Sequence, residues 1–224
     1  MNSIQQIISK NSELSHAKIN RIFKSKKNTV CLITLNNKQC VLKIYSKDNK
    51  KGKTNEYNLL SSSDGNYAKP EILSFNKDQQ FILMTYISGE NICDIINNDS
   101  ITIEKKTQII HCLAIWFFHF HTTHHHNNTF LIHGDANLRN FIFKETVIGL
   151  DFEETHMANP IEDIATICAS ILTTDPQFTD EKKELQNHFI QTYQNHTNKR
   201  LENIHDEIKK AIKEVQKRRK KMEN

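Results

Sequence analysis

The sequence predicts an α+β fold in which an antiparallel sheet comes first and helices follow. Short alternating or β-branched stretches indicate strands in the first ninety residues, whereas apolar residues recur at helical spacing from residue 103 onward. The strand candidates are residues 19–23, 29–35, 39–45 and 80–86. We therefore predict an N-terminal lobe over residues 1–87 with one helix, and a mostly helical C-terminal lobe over residues 88–224.

Two helices are predicted around the middle of the C-terminal lobe. Ile103–His121 carries apolar residues along one broad face, as a largely buried helix does. The second helix starts at Pro160 and runs to Leu172, with acidic residues in its first turn, where they complement the helix dipole. A basic helix is predicted over Ile208–Lys221.

The composition favours a soluble globular enzyme. Of the 224 residues, 37% are hydrophobic and 25% are charged. No apolar run approaches the roughly 20 residues that span a bilayer, and residues 1–15 lack the pattern of a signal peptide. The five cysteines show no CxxC spacing, which is typical of reduced thiols. We expect a cytoplasmic protein without a membrane partner.

The most informative stretch is residues 132–153. His133-Gly-Asp135 is followed by Asn140, and an apolar strand then ends at Asp151-Phe-Glu153. This spacing predicts a phosphoryl-transfer site in which Asp135 orients the attacking hydroxyl and takes its proton. Asn140 and Asp151 supply the hard oxygen ligands that suit magnesium. The structural alternative is a pair of polar turns beside buried strands.

Apolar residues on both sides of Asn140 and Asp151 are expected to form two short strands that hold these groups in place. They are Phe141, Ile142, Phe143, Val147, Ile148 and Leu150.

These motifs resemble the aminoglycoside phosphotransferase and choline kinase family, which shares the protein-kinase-like fold. That family has His-Gly-Asp where most protein kinases have His-Arg-Asp, and many members have Asp-x-Glu in place of Asp-Phe-Gly. The resemblance is specific for residues 131–153 and looser from Thr29 to Leu172. It implies a two-lobed kinase-like architecture with ATP and Mg²⁺ as cofactors.

The resemblance also implies a lysine on an N-terminal strand and a glutamate on the helix that follows. Lys43 matches the lysine that pairs with the α- and β-phosphates, and Glu56 lies in a predicted helix over Thr54–Ser61. Glu71 and Glu90 are alternatives to Glu56. Without the downstream motif, Lys43 would be interpreted as an exposed lysine on an edge strand.

The glycine-rich loop of protein kinases is missing between the first two predicted strands. Residues Lys24–Asn28 contain no glycine, so the backbone there lacks the freedom to approach phosphate closely. Ser25 and Asn28 can donate hydrogen bonds to phosphate, with positive charge from Lys24, Lys26 and Lys27. The alternative, which we favour slightly, is a solvated basic turn.

The strand ending near Thr85 is expected to lead into the connector between the two lobes. In the family, the backbone of such a segment binds adenine, which here implies Thr85, Tyr86 and Ile87, with Met84 behind the base. An ordinary core strand ending at Gly89 is the alternative, and both interpretations can hold together.

Three further residues match, or stand in for, features of the family. Asp163 matches an aspartate that braces the loop backbone in related kinases, and His121 matches a histidine at the end of the long helix. Protein kinases place a lysine two residues after the catalytic aspartate; here Asn137 stands there, and we expect Arg139 to supply the charge. The histidines near residue 124 lack the cysteine partners or second ligand set typical of a zinc site.

We therefore predict an ATP-dependent kinase that phosphorylates a hydroxyl of a small molecule. Glu153, Glu154 and Glu162 are candidates to line a pocket for a cationic acceptor, and Glu153 is alternatively a family feature near the metal. The short chain argues against a large antibiotic as acceptor. The alternatives are a compact or atypical protein kinase linked to tRNA modification, with nucleic acid or a protein bound by the basic C-terminal helix, and a non-catalytic pseudokinase.

Overall fold

The computed structural model describes residues 3–25, 27–126 and 129–223. The chain divides into two compact units. Unit 1 comprises Met1–Ser63 and Pro70–Ile87, and unit 2 comprises Asp64–Lys69 and Ser88–Asn224. No helix among the described residues is both long enough and apolar enough to cross a membrane.

Unit 1 is built on a five-stranded antiparallel sheet with the order β1-β2-β3-β5-β4. Its strands are β1 (Lys18–Phe23), β2 (Thr29–Leu35), β3 (Lys38–Ile44), β4 (Ile72–Asn76) and β5 (Phe81–Thr85). Asn36 and Asn37 join β2 to β3 with positive φ angles of 49° and 62°. Asparagine tolerates this conformation, which matches the twist of a two-residue hairpin. Lys43 therefore lies in a central strand, opposite Val30 of β2 and Ile82 of β5.

The core of unit 1 lies on one face of this sheet. Helix α1 (Ser3–Lys10) contributes Ile4 to a cluster that contains Leu14, Leu42 and Phe81, all of them buried. Helix α2 (Lys50–Ser61) follows β3 and carries Glu56. It begins four residues before the predicted Thr54, because the helix continues through Gly52, a residue that weakens the helical pattern in the sequence.

Unit 2 is mostly helical. Its helices are α3 (Ile92–Ile96), α4 (Ile103–Thr123), α5 (Ile161–Thr173), α6 (Asp180–Thr197) and α7 (Ile204–Glu223). Its short strands are β6 (Glu90–Asn91), β7 (His125–His126), β8 (Thr129–Ile132), β9 (Phe141–Phe143), β10 (Val147–Gly149) and β11 (His156–Ala158). They form two three-stranded sheets with the orders β10-β9-β6 and β11-β8-β7.

An aromatic cluster joins α4 to the strands that carry the catalytic motifs. Trp116 and Phe120 of α4 are stacked with ring centroids 5.1 Å apart. Phe117 packs against Phe141 at 5.1 Å, and Phe120 stacks on Phe152 at 6.2 Å. Because Phe141 follows Asn140 and Phe152 follows Asp151, burial of these rings fixes the backbone at both candidate metal ligands.

The predicted fold class is confirmed, with an antiparallel sheet first and helices after it. The predicted helix over Ile103–His121 extends to Thr123, and the helix predicted from Pro160 begins at Ile161, with Pro160 as its N-cap. The two predicted short strands are β9 and β10, which pair with each other.

Candidate active site

In unit 1 the structure pairs Lys43 with Glu56. The Lys43 Nζ lies 2.6 Å from Glu56 Oε2, and the two side chains are 7% and 2% exposed. The hydroxyl of Tyr45 donates to the same carboxylate oxygen. A buried ion pair is stable only where further hydrogen bonds satisfy its charges, and Tyr45 supplies one. Glu71, an alternative partner of Lys43, is exposed.

The turn between β1 and β2 is organised by side chains. The backbone amide of Asn28 donates to Ser25 Oγ at 3.4 Å, and Asn28 Oδ1 accepts from the backbone amide of Ser46 at 3.2 Å and from Asn49 at 3.3 Å. A hydroxyl that accepts a hydrogen bond still has its proton to donate, so Ser25 retains a donor for phosphate. Lys24 and Lys27 are exposed, and Lys26 lies outside the described residues.

In the segment predicted to bind adenine, one backbone donor is used within unit 1. Met84 is buried in β5, but the backbone amide of Thr85 donates to the carbonyl of Glu71 at 2.9 Å. The Thr85 hydroxyl also accepts from the amide of Glu71 at 3.0 Å. The amide of Thr85 is therefore already committed to the β4 side of the sheet. The rest of the predicted adenine-binding backbone, from the Thr85 carbonyl to Ile87, stays a prediction.

In unit 2 two asparagines hold Asp135. Asn140 Nδ2 donates to the Asp135 carbonyl at 2.9 Å and to Asp135 Oδ2 at 3.2 Å. Asn137 Nδ2 donates to the same two oxygens, at 3.2 and 3.3 Å. These bonds orient the Asp135 carboxylate. They also turn the amide nitrogen of Asn140 toward Asp135, which directs its oxygen elsewhere.

The backbone of this loop is braced by Asp163 of α5, as the resemblance implies. Asp163 Oδ2 accepts from the backbone amide of His133 at 2.6 Å, and Oδ1 accepts from that of Gly134 at 3.0 Å. His121 Nε2 lies 3.1 Å from Oδ2, and His121 Nδ1 lies 2.9 Å from the hydroxyl of Tyr193. A chain of polar contacts thus connects Tyr193 of α6 to the catalytic loop.

Asp163 is buried in its charged form. Burial raises the pKa of its carboxyl group, but the hydrogen bond and charge of His121, with the charge and backbone hydrogen bond of His133, outweigh that effect. The net result is a pKa below the ordinary value. The carboxylate therefore remains an acceptor for both loop amides.

Gly134 is required by the shape of the loop. Its φ is +76°, in the region that favours glycine, and a Cβ atom there would lie 2.3 Å from the Glu154 carbonyl oxygen. The loop therefore passes directly over the segment that follows Asp151.

The His133 side chain and Leu150 connect the Asp135 loop to the candidate metal ligands. The His133 ring is fully buried, and its Nε2 lies 3.0 Å from the carbonyl of Leu150. The backbone amide of Leu150 donates to the Asn140 carbonyl at 2.8 Å. Because Leu150 immediately precedes Asp151, these two contacts set the position of Asp151 relative to Asn140.

Asp151 and Glu153 bring two carboxylates together. Their carboxylate oxygens lie within 4.8 Å of each other; Asp151 is exposed and Glu153 is buried. Asp151 has a φ of +60°, a conformation that aspartate adopts more readily than most residues. Together with the Asn140 side-chain oxygen, these hard donors fit Mg²⁺. No group of histidines or cysteines arranged to hold a metal is found in the described parts of the chain.

The predicted role of Arg139 does not match its position. Arg139 Nη1 lies 3.9 Å from Asp94, and its side chain is 70% exposed. The cation beside Asp135 is instead Arg218 of α7, whose Nη1 lies 3.9 Å from Asp135 Oδ1. Sequence reasoning missed Arg218 because α7 is far from the loop along the chain and only tertiary packing brings them together.

Comparison with known proteins gives a family match over part of the chain. Residues 113–198, which include the catalytic motifs, match the model of the Phosphotransferase enzyme family. A search of curated proteins returns no match.

Solved structures match over nearly the whole chain. The APH(2'')-IIa ternary complex with streptomycin and ATP has a TM-score of 0.66 at 16% identity, covering 94% of this chain and 88% of that one. The ADP-bound aminoglycoside phosphotransferase APH(2'')-Ib has a TM-score of 0.65 at 16% identity, with 93% and 85% coverage. An ethanolamine kinase of Plasmodium vivax has a TM-score of 0.61 at 13% identity, with 90% and 73% coverage.

These matches agree with what the motifs implied, and they give no support for a nucleic-acid or protein partner. The resemblance is confirmed: the chain has the kinase-like fold of aminoglycoside phosphotransferases and an ethanolamine kinase, and its residues 113–198 carry the sequence pattern of the Phosphotransferase enzyme family.

Proposed function

We propose that the protein is an ATP- and Mg²⁺-dependent phosphotransferase that moves the γ-phosphoryl group of ATP to a hydroxyl group of a small molecule. The observation that carries the proposal is the constellation in unit 2. Asn140 and Asn137 orient Asp135, Asp163 braces the loop, and Asp151 follows within the same hydrogen-bonded segment. Phosphoryl transfer depends on such positioning more than on covalent help from the protein.

The nucleotide would be bound by residues of unit 1. Lys43, held by Glu56, would neutralise the α- and β-phosphates. The Ser25 hydroxyl would donate to a phosphate oxygen. The backbone of Tyr86 and Ile87 would hydrogen-bond adenine, with Met84 behind the base.

Asn140, Asp151 and Glu153 would hold the magnesium ion. When bound, Mg²⁺ neutralises charge on the phosphates and orients them. The residues present fit this ion because all three donors are carboxylate or amide oxygens. The contacts of His133 and Asn140 with Leu150 keep Asn140 and Asp151 together.

Asp135 would act on the acceptor. Its carboxylate accepts a hydrogen bond from the acceptor hydroxyl, whose oxygen attacks the γ-phosphorus. The new oxygen–phosphorus bond forms as the bond from the γ-phosphorus to the bridging oxygen of ADP breaks. The hydroxyl proton passes to Asp135, and ADP leaves.

Metal-dependent nucleotide binding tests the proposal. Calorimetry should detect ATP binding that is stronger with Mg²⁺ than without it, and Asp151→Ala should abolish that difference. Asp99→Asn is a matched control, since it removes an exposed carboxylate of unit 2 outside the motifs. ATP affinity that is independent of Mg²⁺ and unchanged in Asp151→Ala would contradict the metal assignment.

A further inference from the structure

A cation of the C-terminal helix lies beside the proposed catalytic base. Arg218 Nη1 is 3.9 Å from Asp135 Oδ1, and the side chains are 70% and 38% exposed. This distance allows an ion pair but is longer than a hydrogen bond. The guanidinium N–H groups therefore remain able to bind an oxygen anion beside Asp135.

Arg218 is held there by the packing of its helix. The neighbouring Arg219 donates from Nη2 to the carbonyl of Thr173, the last residue of α5, at 2.6 Å. The side chains of Ile204 and Ile208, in the first turns of α7, are buried. The end of α7 is thus attached to the helix whose Asp163 braces the catalytic loop.

Further cations act on the start of α3, at Cys93. Burial raises the pKa of the Cys93 thiol, and the charges of Arg139, Lys182 and Arg219 oppose that rise. Asp94 is the acidic residue that acts on the same thiol, and it already lies 3.9 Å from Arg139.

The guanidinium of Arg218 beside Asp135 is less suited to the amine acceptors considered from the sequence than to an anionic acceptor. A protonated amine beside Asp135 would meet the guanidinium of Arg218, and like charges at such a distance repel. Of the candidates for binding a cationic acceptor, Glu154 and Glu162 are exposed, whereas Glu153 is buried beside Asp151 and is proposed above as a metal ligand. An anionic acceptor would instead bind Arg218 through paired hydrogen bonds.

We infer that the acceptor is a small hydroxy compound that carries a phosphate or carboxylate group, and that Arg218 recognises this anion while Asp135 receives the hydroxyl. The inference rests on the proposed function. Because Arg218 and Asp135 are neighbours, the anion and the hydroxyl of the acceptor lie within roughly 10 Å of each other, which requires a compact molecule.

Matched acceptors test the inference directly. ATP turnover would be measured with glycerol, glycerol 3-phosphate and glycerate, with ribose and ribose 5-phosphate, and with ethanolamine, streptomycin and gentamicin as amine-bearing acceptors. We expect at least one anionic acceptor to exceed its neutral counterpart at least tenfold in kcat/KM. The phosphate and carboxylate members of the glycerol set show which anion is preferred.

Variants of Arg218 then separate recognition of the anion from general catalysis. Arg218→Ala should lower kcat/KM for the anionic acceptor by about 10- to 100-fold, mainly through KM, because a charged hydrogen bond is lost. Arg218→Lys should restore part of the loss, and turnover of the neutral counterpart should change little. Lys213→Glu is the control, because it alters charge on the same helix but on a face about 140° away.

Each contrary result has a distinct meaning. Preferred turnover of an amine or of a neutral alcohol, or no turnover of any anionic acceptor, would overturn the inference. An equal loss for neutral and anionic acceptors in Arg218→Ala would also overturn it, since Arg218 would then serve the transferred phosphate. Failure of Mg²⁺-dependent ATP binding would instead contradict the proposed function.

Discussion

The catalytic loop of unit 2 and the β1–β2 turn of unit 1 hold their candidate residues in opposite ways. In the loop, the buried Asp163 carboxylate binds two consecutive backbone amides, and side-chain amides orient Asp135. In the turn, exposed lysines surround Asn28, whose side-chain oxygen accepts two hydrogen bonds of 3.2 and 3.3 Å. The reacting groups need fixed geometry, whereas exposed cations can meet phosphate charge.

The largest expected effect follows from removing Asp163. Asp163→Ala leaves the amides of His133 and Gly134 without their acceptor in a buried site, and each such group costs about 1–3 kcal/mol. We expect the free energy of unfolding, measured in urea, to fall by about 3–5 kcal/mol. Turnover should fall by at least about 10²-fold, because Asp135 loses its position.

The control for Asp163→Ala is Asp99→Asn, which should leave the free energy of unfolding and the turnover near wild type. Unchanged turnover in folded Asp163→Ala would show that Asp163 does not position Asp135. It would also contradict the claim that the catalytic loop needs a more fixed geometry than the β1–β2 turn.

The second prediction concerns pH. The pKa of Asp163 in the folded protein is below its usual value of 3.8, so the unfolded state binds the proton more readily. The stabilisation that the charged Asp163 contributes is therefore complete above the usual pKa of 3.8. It is lost as the pH falls from 3.8 through the lower pKa of the folded protein. The stability difference between wild type and Asp163→Asn should be larger at about pH 5 than below pH 3.8, where it should shrink.

Urea unfolding at a series of pH values measures this difference. Asn28→Ala serves as the comparison, since its contribution involves no titrating group and should not change over the same range. A difference for Asp163→Asn that stays constant to pH 3 would mean that Asp163 is not buried in its charged form.

The smallest effect is expected in the turn. Asn28→Ala removes an acceptor from two hydrogen bonds, so the free energy of unfolding should decrease by about 1 kcal/mol. The KM for ATP should rise only about two- to threefold, because lysine charges near the turn remain. A loss of ATP affinity as large as that in Lys43→Ala would show that the turn is as precisely organised as the catalytic loop.

Local patterns in the sequence predicted much of this structure. Alternation predicted β3, a continuous apolar run predicted β5, and helical periodicity predicted α4. The spacing of Asp135, Asn140 and Asp151 predicted that these residues share one segment. The pairing of Lys43 with Glu56 came from the family resemblance, and the structure contains it.

The remaining features depend on register and tertiary packing. The commitment of the Thr85 amide to Glu71 follows from how β4 pairs with β5, which no local pattern reveals. The contact of Arg218 with Asp135 depends on how α7 packs on α5, and Tyr193 reaches His121 through the packing of α6 on α4. The basic run in α7 was visible in the sequence, but the position of Arg218 beside Asp135 was not.

The most direct test of the account is phosphate transfer by Asp135→Asn. With γ-labelled ATP and an acceptor that the wild type phosphorylates, kcat should fall by about 10²- to 10⁴-fold, because the variant keeps the shape of the side chain but loses the proton acceptor. Mg²⁺-dependent ATP affinity and the free energy of unfolding should stay near wild type. Transfer that continues at the wild-type rate would contradict the assignment of Asp135 as the catalytic base.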